Sequence, residues 1–343
     1  MSRHQALFLA AAFSPWLVVS LGTARVPAQV QAQVHAMPPT TAWGPAGPTG
    51  LPGTPGSTAF VPLPGDGVEN AFDGNRMDMG LGPGQPAYFD GYWTWQTLPD
   101  GFLYPAYMAG GRESRFASHW MCEKDKGWLW DIALGGHVGM LRYGNSDPIR
   151  PEGWQVDVEG AAFPRLTLGS VRDLTSVDFR FGLPLTFRRG PWETKFGYYH
   201  LSSHLGDEYM VTQGTLDRLN YTRDVLIAGL AFRPHRDLRL YAEAGWAFYT
   251  DGGSQPWEFQ FGIDYSPVEP WSALGTPFFA VNTRIREEVD FGGNVTVQTG
   301  LQWRGGRGQL FRFGLHYFNG KSDQYQFFTE HEEQIGLGVW YDF

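Results

Sequence analysis

One short run of the sequence carries side chains that could together perform nucleophilic catalysis. His200 and Ser202 are two residues apart, and Asn220 and Asp224 lie in the next apolar segment. A serine hydroxyl becomes a nucleophile when a neighbouring imidazole accepts its proton, and a carboxylate or carboxamide can hold that imidazole in the required tautomer. The spacing therefore permits acyl transfer by Ser202 with His200 as its base. Asp224 or Asn220 would orient the base.

The elements that must position these residues are strands. From residue 102 onward, apolar residues alternate with polar or small ones, and from Val177 to Phe187 every odd position is apolar. Successive side chains of a strand point to opposite faces, so each such segment has an apolar and a polar face. The pattern occurs twelve times, most weakly in the first segment, near residues 102–116, 128–141, 154–168, 177–187, 192–204, 219–233, 238–250, 256–265, 277–287, 295–304, 309–319 and 334–343.

Composition and connections predict an all-β fold, an antiparallel transmembrane β-barrel of about 12 strands. The 45 glycines and 24 prolines disfavour a helical bundle, and 16% of the residues are aromatic while only 18% are charged. Tight connections at 188–191, 234–237 and 305–308 alternate with long ones at 205–218 and 319–333, which is typical of outer-membrane barrels. A soluble β-sandwich is the alternative, but its inward side chains would form an apolar core.

The last strand indicates the orientation of the barrel. Ile335, Leu337, Val339 and Tyr341 alternate with small and polar residues, and the sequence ends at Phe343. Here the chain resembles bacterial outer-membrane barrels, whose final strand ends in an aromatic residue that is bound by the barrel assembly machinery. The resemblance implies an outer-membrane location, with outer-membrane lipids and the assembly machinery as partners. It also implies that the last strand runs towards the periplasm.

The inward face carries charges of both signs in nearly equal number. Seven acidic residues share this face with eight basic ones: Asp157, Glu159, Asp178, Glu193, Glu243, Glu258 and Asp264, and Arg165, Arg180, Lys195, Arg239, Arg284, Arg286, Arg304 and Arg312. Ion pairs between them would cross-link the interior of a twelve-stranded barrel, so the sequence predicts a narrow or plugged lumen. The net charge of −9 predicts no nucleic-acid partner, and the single Cys122 allows no disulfide framework.

The alternation of faces along the 192–204 strand predicts that the catalytic candidates lie on its outer face. Trp192 has the same parity as His200 and Ser202, and Asp224 has the same parity as the apolar residues that follow it. Here the chain resembles outer-membrane phospholipase A and the lipid A deacylases, which carry His-x-Ser on a lipid-facing strand. The resemblance implies a lipid acyl ester as substrate and makes calcium a candidate cofactor. The sequence itself requires no cofactor.

Two other interpretations of this run stay open. If the strand leaves the membrane at His200, the polar side chains are solvated loop residues. Alternatively, His200, His204, Asp207 and Glu208 could bind a metal, because imidazole and carboxylate groups are suitable ligands. Their spacing matches no common ligand motif, which makes His204, Asp207 and Glu208 weak candidates. The resemblance to the phospholipase also has a departure, since Ser203 stands where the phospholipase has asparagine.

The amino terminus is predicted to be an export signal followed by a tail. A basic start, a short apolar stretch and small residues indicate a secretory signal peptide over residues 1–32. A transmembrane anchor is the alternative, but the apolar run is short for a span. Residues 33–101 are rich in proline and glycine and are predicted to form a flexible, extended tail that docks through Trp93 and Trp95. The barrel is predicted to occupy 102–343.

A second resemblance covers the chain from about residue 98 to its end. Residues 98–101, 107–116 and 200–209, together with the aromatic end, look like an uncharacterised outer-membrane family that is carried as a domain of unknown function. This resemblance implies a barrel and supplies no reaction. Two functions therefore stay open: a non-catalytic integral protein of a Gram-negative-type envelope with a narrow or plugged lumen, and a lipid acyl-ester hydrolase. The sequence gives no oligomeric state.

Overall fold

A computed structural model describes residues 92–169, 172–215 and 217–343. The predicted signal peptide and most of the predicted tail lie outside these residues. The described strands are β1 (Thr94–Thr97), β2 (Phe116–Glu123), β3 (Gly127–Gly144), β4 (Gly153–Thr167), β5 (Leu174–Arg189), β6 (Trp192–Leu205), β7 (Thr222–His235), β8 (Leu238–Asp251), β9 (Trp257–Tyr265), β10 (Thr276–Arg286), β11 (Gly292–Arg304), β12 (Leu310–Lys321) and β13 (His331–Asp342). A helix, α1 (Asp207–Gln213), and two 3₁₀ turns, Glu287–Val289 and Tyr325–Phe327, lie in the connections.

The sheet closes into a twelve-stranded barrel, as the sequence predicts. Strands β2 to β13 pair antiparallel in chain order, and β13 pairs with β2. The strand β3 pairs with both β2 and β4. Within the described part of the chain, no helix is both long and apolar enough to cross a bilayer.

The barrel wall has an apolar outer face and a charged inner face. In β5, Phe179 and Phe181 point outward and are 45% and 46% exposed, whereas the alternating Asp178 and Arg180 are buried inside. An outer surface of large apolar side chains is stable against hydrocarbon and unfavourable in water. The strand period therefore builds a wall that suits a membrane.

The predicted first strand, residues 102–116, is wrong in position. Residues 98–115, here called the lumen segment, form no strand, and the first barrel strand is β2. Tyr104 and Met108 have the parity of one apolar face, but both side chains are buried against other residues rather than facing outward. The strand β2 was not predicted because its inward Met121 is apolar and its outward Ser118 is polar, which removes the alternation.

The lumen segment lies inside the barrel and contacts several strands around it. The Tyr107 hydroxyl donates to Glu243 of β8 at 2.9 Å, and Arg112 forms an ion pair of 2.9 Å with Asp178 of β5. Backbone carbonyls of the segment accept hydrogen bonds from three inward-facing arginines, Arg180, Arg239 and Arg312. Because β5, β8 and β12 are spread around the barrel, these contacts bring the segment across the interior.

The β12–β13 loop, residues 322–330, fills the interior from the other end. The Ser176 hydroxyl donates to Gln324 at 3.0 Å, and the Arg286 guanidinium donates to the carbonyl of Ser322 at 2.9 Å. Ser322 and Gln324 are buried, although they belong to a connection between strands. Two separate parts of the chain therefore occupy the lumen.

The short strand β1 explains how the chain approaches the barrel. It pairs with the end of β3, along the edge that β2 is too short to cover. The rings of Trp93 and Trp95 lie 5.7 and 5.1 Å from the ring of Tyr143. This contact agrees with docking through these two tryptophans.

Replacing Arg165 with methionine is expected to lower the free energy of unfolding by about 3 kcal/mol. The Arg165 guanidinium donates to Asp131 at 2.7 and 2.6 Å and to Glu332 at 2.6 Å, and the Glu332 side chain is fully buried. Urea unfolding of the barrel in detergent micelles would measure the change. The Lys124→Gln variant is the control, because its ion pair with Glu333 is exposed and 3.9 Å long. Equal losses in both variants would contradict the prediction.

Candidate functional site

The strand β6 presents the candidate residues on its outer face, as its parity predicts. The His200 side chain is 43% exposed and Ser202 is half-buried, whereas their neighbours Leu201 and Ser203 are buried on the inner side. His204 continues the outer row and is exposed. These three residues lie in the last part of β6, away from the end of the barrel that holds the carboxyl terminus.

The register between β6 and β7 pairs the imidazole with a carboxylate. His200 lies opposite Asp224, and Ser202 lies opposite Thr222. His200 Nδ1 is 2.8 Å from Asp224 Oδ1, and the Tyr198 hydroxyl donates to the same oxygen at 2.7 Å. A carboxylate can only accept hydrogen bonds, so Nδ1 carries the proton and the imidazole Nε2 is left as an acceptor.

The serine shares this face but does not contact the imidazole. Two positions along a strand correspond to about 6.6 Å, so Ser202 and His200 are neighbours on the wall. Among the described residues the Ser202 hydroxyl has no hydrogen-bond partner. Catalytic hydrogen bonds are often long in the absence of substrate. A change of side-chain rotamer is the movement that would bring the hydroxyl to Nε2.

The structure brings Asp224, and not Asn220, to the imidazole. Asn220 precedes β7, and continuing the register sets it level with His204 at the end of the strand. The backbone N–H of Ser203 donates to the carbonyl of Tyr221 at 3.0 Å, so this amide is not free to stabilise an oxyanion. The carboxylate therefore fits the orienting role.

The weak metal candidates do not come together. His204 is exposed at the end of β6, and Asp207 and Glu208 are exposed in the first turn of α1. Within residues 92–169, 172–215 and 217–343, no three His, Cys, Asp or Glu side chains are arranged to hold a metal ion. Calcium as a cofactor stays a prediction of the resemblance.

A shallow groove in the outer wall ends at the imidazole. It has a volume of about 380 Å³ and is lined by Leu134, Gly160, Ala161, Ala162, Phe179, Arg180, Phe181 and His200. Small residues of β4 leave a depression between the phenylalanines of β5 and the leucine of β3. Sequence reasoning missed this groove, although Gly160-Ala161-Ala162 was its visible sign. It also missed Tyr198 as a partner of Asp224.

A closed antiparallel sheet with an apolar outer face and buried ion pairs inside defines a transmembrane β-barrel. The chain belongs to the family described as "Protein of unknown function (DUF1207)", which matches residues 90–343. This result confirms the resemblance to a barrel family of unknown function. A comparison with curated proteins gave no match.

Several solved barrels are similar to this chain at low sequence identity. The Salmonella typhi outer membrane phospholipase dimer with bound calcium has a TM-score of 0.46 and 11% identity, over 70% of this chain and 92% of that chain. Outer membrane phospholipase A from Escherichia coli has a TM-score of 0.46 and 12% identity, over 69% and 97%. The KdgM porin in complex with disordered oligogalacturonate has a TM-score of 0.39 and 8% identity, over 66% and 98%. These likenesses concern the barrel fold alone.

Proposed function

We propose that the chain is an integral outer-membrane protein whose wall carries a lipid acyl-ester hydrolase centre. The observation that carries this proposal is the 2.8 Å contact between His200 Nδ1 and Asp224 Oδ1 on the outer face, beside Ser202. Charged and polar groups on the lipid-facing wall of a barrel are unfavourable unless they lie near the interface or serve a function. His200 contacts Asp224 across the two strands and has Ser202 two positions along its own strand, and these are the three kinds of group that nucleophilic catalysis uses.

The proposed reaction assigns a role to each side chain. His200 Nε2 accepts the hydroxyl proton of Ser202 as its oxygen attacks the ester carbonyl carbon. The C–O bond to the leaving alcohol then breaks, and the imidazolium returns the proton to that alcohol. Water, deprotonated by the same imidazole, cleaves the acyl-enzyme and releases a fatty acid. Asp224, itself held by Tyr198, keeps the imidazole oriented and stabilises its charged form.

The surroundings of the centre support a lipid substrate. The groove beside His200 is lined by Leu134, Phe179 and Phe181, so it suits an apolar acyl chain. Its location on the outer face gives access to lipids already in the bilayer. The acyl ester would then lie next to Ser202 without leaving the membrane.

Release of fatty acid by the purified barrel tests this proposal. Phospholipid and lipid A are each offered in mixed detergent micelles, with calcium and with a calcium chelator. Release from either substrate supports the hydrolase, and a dependence on calcium would identify the cofactor. No release from either substrate in either condition would exclude it.

A non-catalytic barrel is the second candidate, and the unpartnered Ser202 hydroxyl within the described residues favours it. The lumen segment and the β12–β13 loop support a closed interior for this candidate as well. Such a protein would be a structural or adhesive part of the envelope. In both cases the proposal includes export by the signal peptide and insertion by the barrel assembly machinery through the strand that ends at Phe343.

A further inference from the structure

A cavity of about 100 Å³ lies at the end of the barrel where the chain terminates. Its wall includes four arginines, one from a connection and three from strands: Arg150, Arg233, Arg239 and Arg304. It also includes Phe343, the last residue. The hydrolase centre lies near the opposite ends of β6 and β7, so the two sites are separate.

The acidic side chains of the cavity already have cationic partners. Asp264 pairs with Arg239 at 3.5 Å, and Asp342 pairs with Arg312 at 3.0 Å. The carboxylate of Glu193 forms an ion pair with Arg233 and a second one with Arg239, at 2.8 Å. The four arginines of the cavity thus outnumber its two aspartates, and Arg150 and Arg304 carry the excess positive charge.

Arg304 and Arg150 lack a close carboxylate. The Arg304 guanidinium donates to the Ser266 hydroxyl at 2.8 Å, its Nε is buried without an acceptor, and the described residues give it no ion pair. The guanidinium of Arg150 forms one long ion pair, with the carboxylate of Asp237 at 3.9 Å. Burial and the neighbouring Arg233 lower the pKa of Arg150 to about 9, so a negative charge would stabilise this cation.

We propose that this cavity binds an oxyanion, a phosphate or carboxylate group, through Arg150 and Arg304. A guanidinium presents its N–H donors in a planar fork that matches both groups. Both guanidinium groups are partly buried without a close carboxylate, so a bound anion would stabilise their charges. The cavity has room for several water molecules, so a small anionic group fits without rearrangement of the wall. This binding is independent of the proposed hydrolase.

Calorimetric titration of the full chain in uncharged maltoside micelles tests the site. Pyrophosphate and citrate are titrated separately, with sodium chloride at equal ionic strength as the blank. We expect saturable binding of at least one anion, and which of the two binds identifies the chemical class. Arg304→Gln and Arg150→Gln should each weaken binding by about tenfold or more, because each removes a charge-assisted hydrogen bond.

Arg307→Gln is the matched control at the same end of the barrel. Its side chain is 72% exposed and pairs only loosely with Asp100, at 3.8 Å, so we expect unchanged affinity. Arg304→Lys keeps the charge and should retain part of the binding, which separates anion recognition from misfolding. Absence of saturable binding of both anions, or undiminished binding by the Arg150→Gln/Arg304→Gln double variant, would overturn the proposal.

Discussion

Replacing Ser202 with alanine is expected to lower the rate of fatty-acid release by roughly 10³-fold or more. The variant removes the nucleophile, while His200 and Asp224 keep their 2.8 Å contact. Because the half-buried Ser202 hydroxyl has no hydrogen-bond partner within the described residues, its loss should leave the barrel stable. Initial rates on the substrate that the wild type cleaves would measure the effect, with gel mobility before and after heating as the check on folding.

The neighbouring serine provides a matched control. Ser203 is buried on the inner side, where its hydroxyl accepts a hydrogen bond from Gln326 at 3.3 Å and its carbonyl accepts another at 3.0 Å, which the alanine variant keeps. Ser203→Ala removes the same atom from the same strand but on the other face, so activity should persist. A Ser202→Ala variant as active as Ser203→Ala would remove Ser202 from the mechanism.

Substitutions of the orienting carboxylate should give a graded loss. Asp224→Asn keeps an oxygen that accepts the Nδ1 proton, whereas Asp224→Ala keeps none, so we expect the alanine variant to be the slower one. Tyr198→Phe removes only the second hydrogen bond to Asp224 and should reduce the rate least. Equal rates in the Asn and Ala variants would indicate that Asp224 does not act through the imidazole.

The sequence predicted the wall of the barrel where its two faces differ in polarity. In β5 the buried Asp178 and Arg180 alternate with Phe179 and Phe181, so the strand was evident. In β2 this contrast fails, because the inward Met121 is apolar and the outward Ser118 is polar. The lumen segment and the β12–β13 loop occupy the interior of this barrel together with ion pairs. A strand whose inner face packs against these segments loses the alternation of apolar and polar residues.

Parity could predict which face carries the site, but not which residues meet across it. The period of two put His200 and Ser202 on the outer face. The choice between Asp224 and Asn220 depends on the register of β7 against β6, and a long connection between two strands leaves that register undetermined.

The arginine cavity could not be predicted from the sequence for a related reason. Arg304 was expected to form an ion pair, and its hydroxyl partner, Ser266, lies after another strand.

A wild-type barrel in a planar bilayer should show no large, stable open steps, and removing both obstructions of the lumen should create them. The double variant replaces residues 102–115 with a short glycine-serine linker and shortens the β12–β13 loop. The two parts enter from opposite ends, through contacts such as Tyr107 with Glu243 and Gln324 with Ser176. Obstructions in series each block the path, so either change alone should have little effect.

Helix α1 offers the control for this experiment. It belongs to a connection at the same end as the β12–β13 loop, yet none of its residues is buried. A variant that combines the linker at 102–115 with deletion of α1 therefore keeps the loop in place and should stay closed. Large steps in this control, or in the wild type, would mean that the buried contacts of the β12–β13 loop do not close the lumen. Steps confined to the double variant would assign the closure to the lumen segment and the loop together. Either part alone blocks the lumen, so only the loss of both allows water to form a continuous path through the barrel and solvate the interior charges.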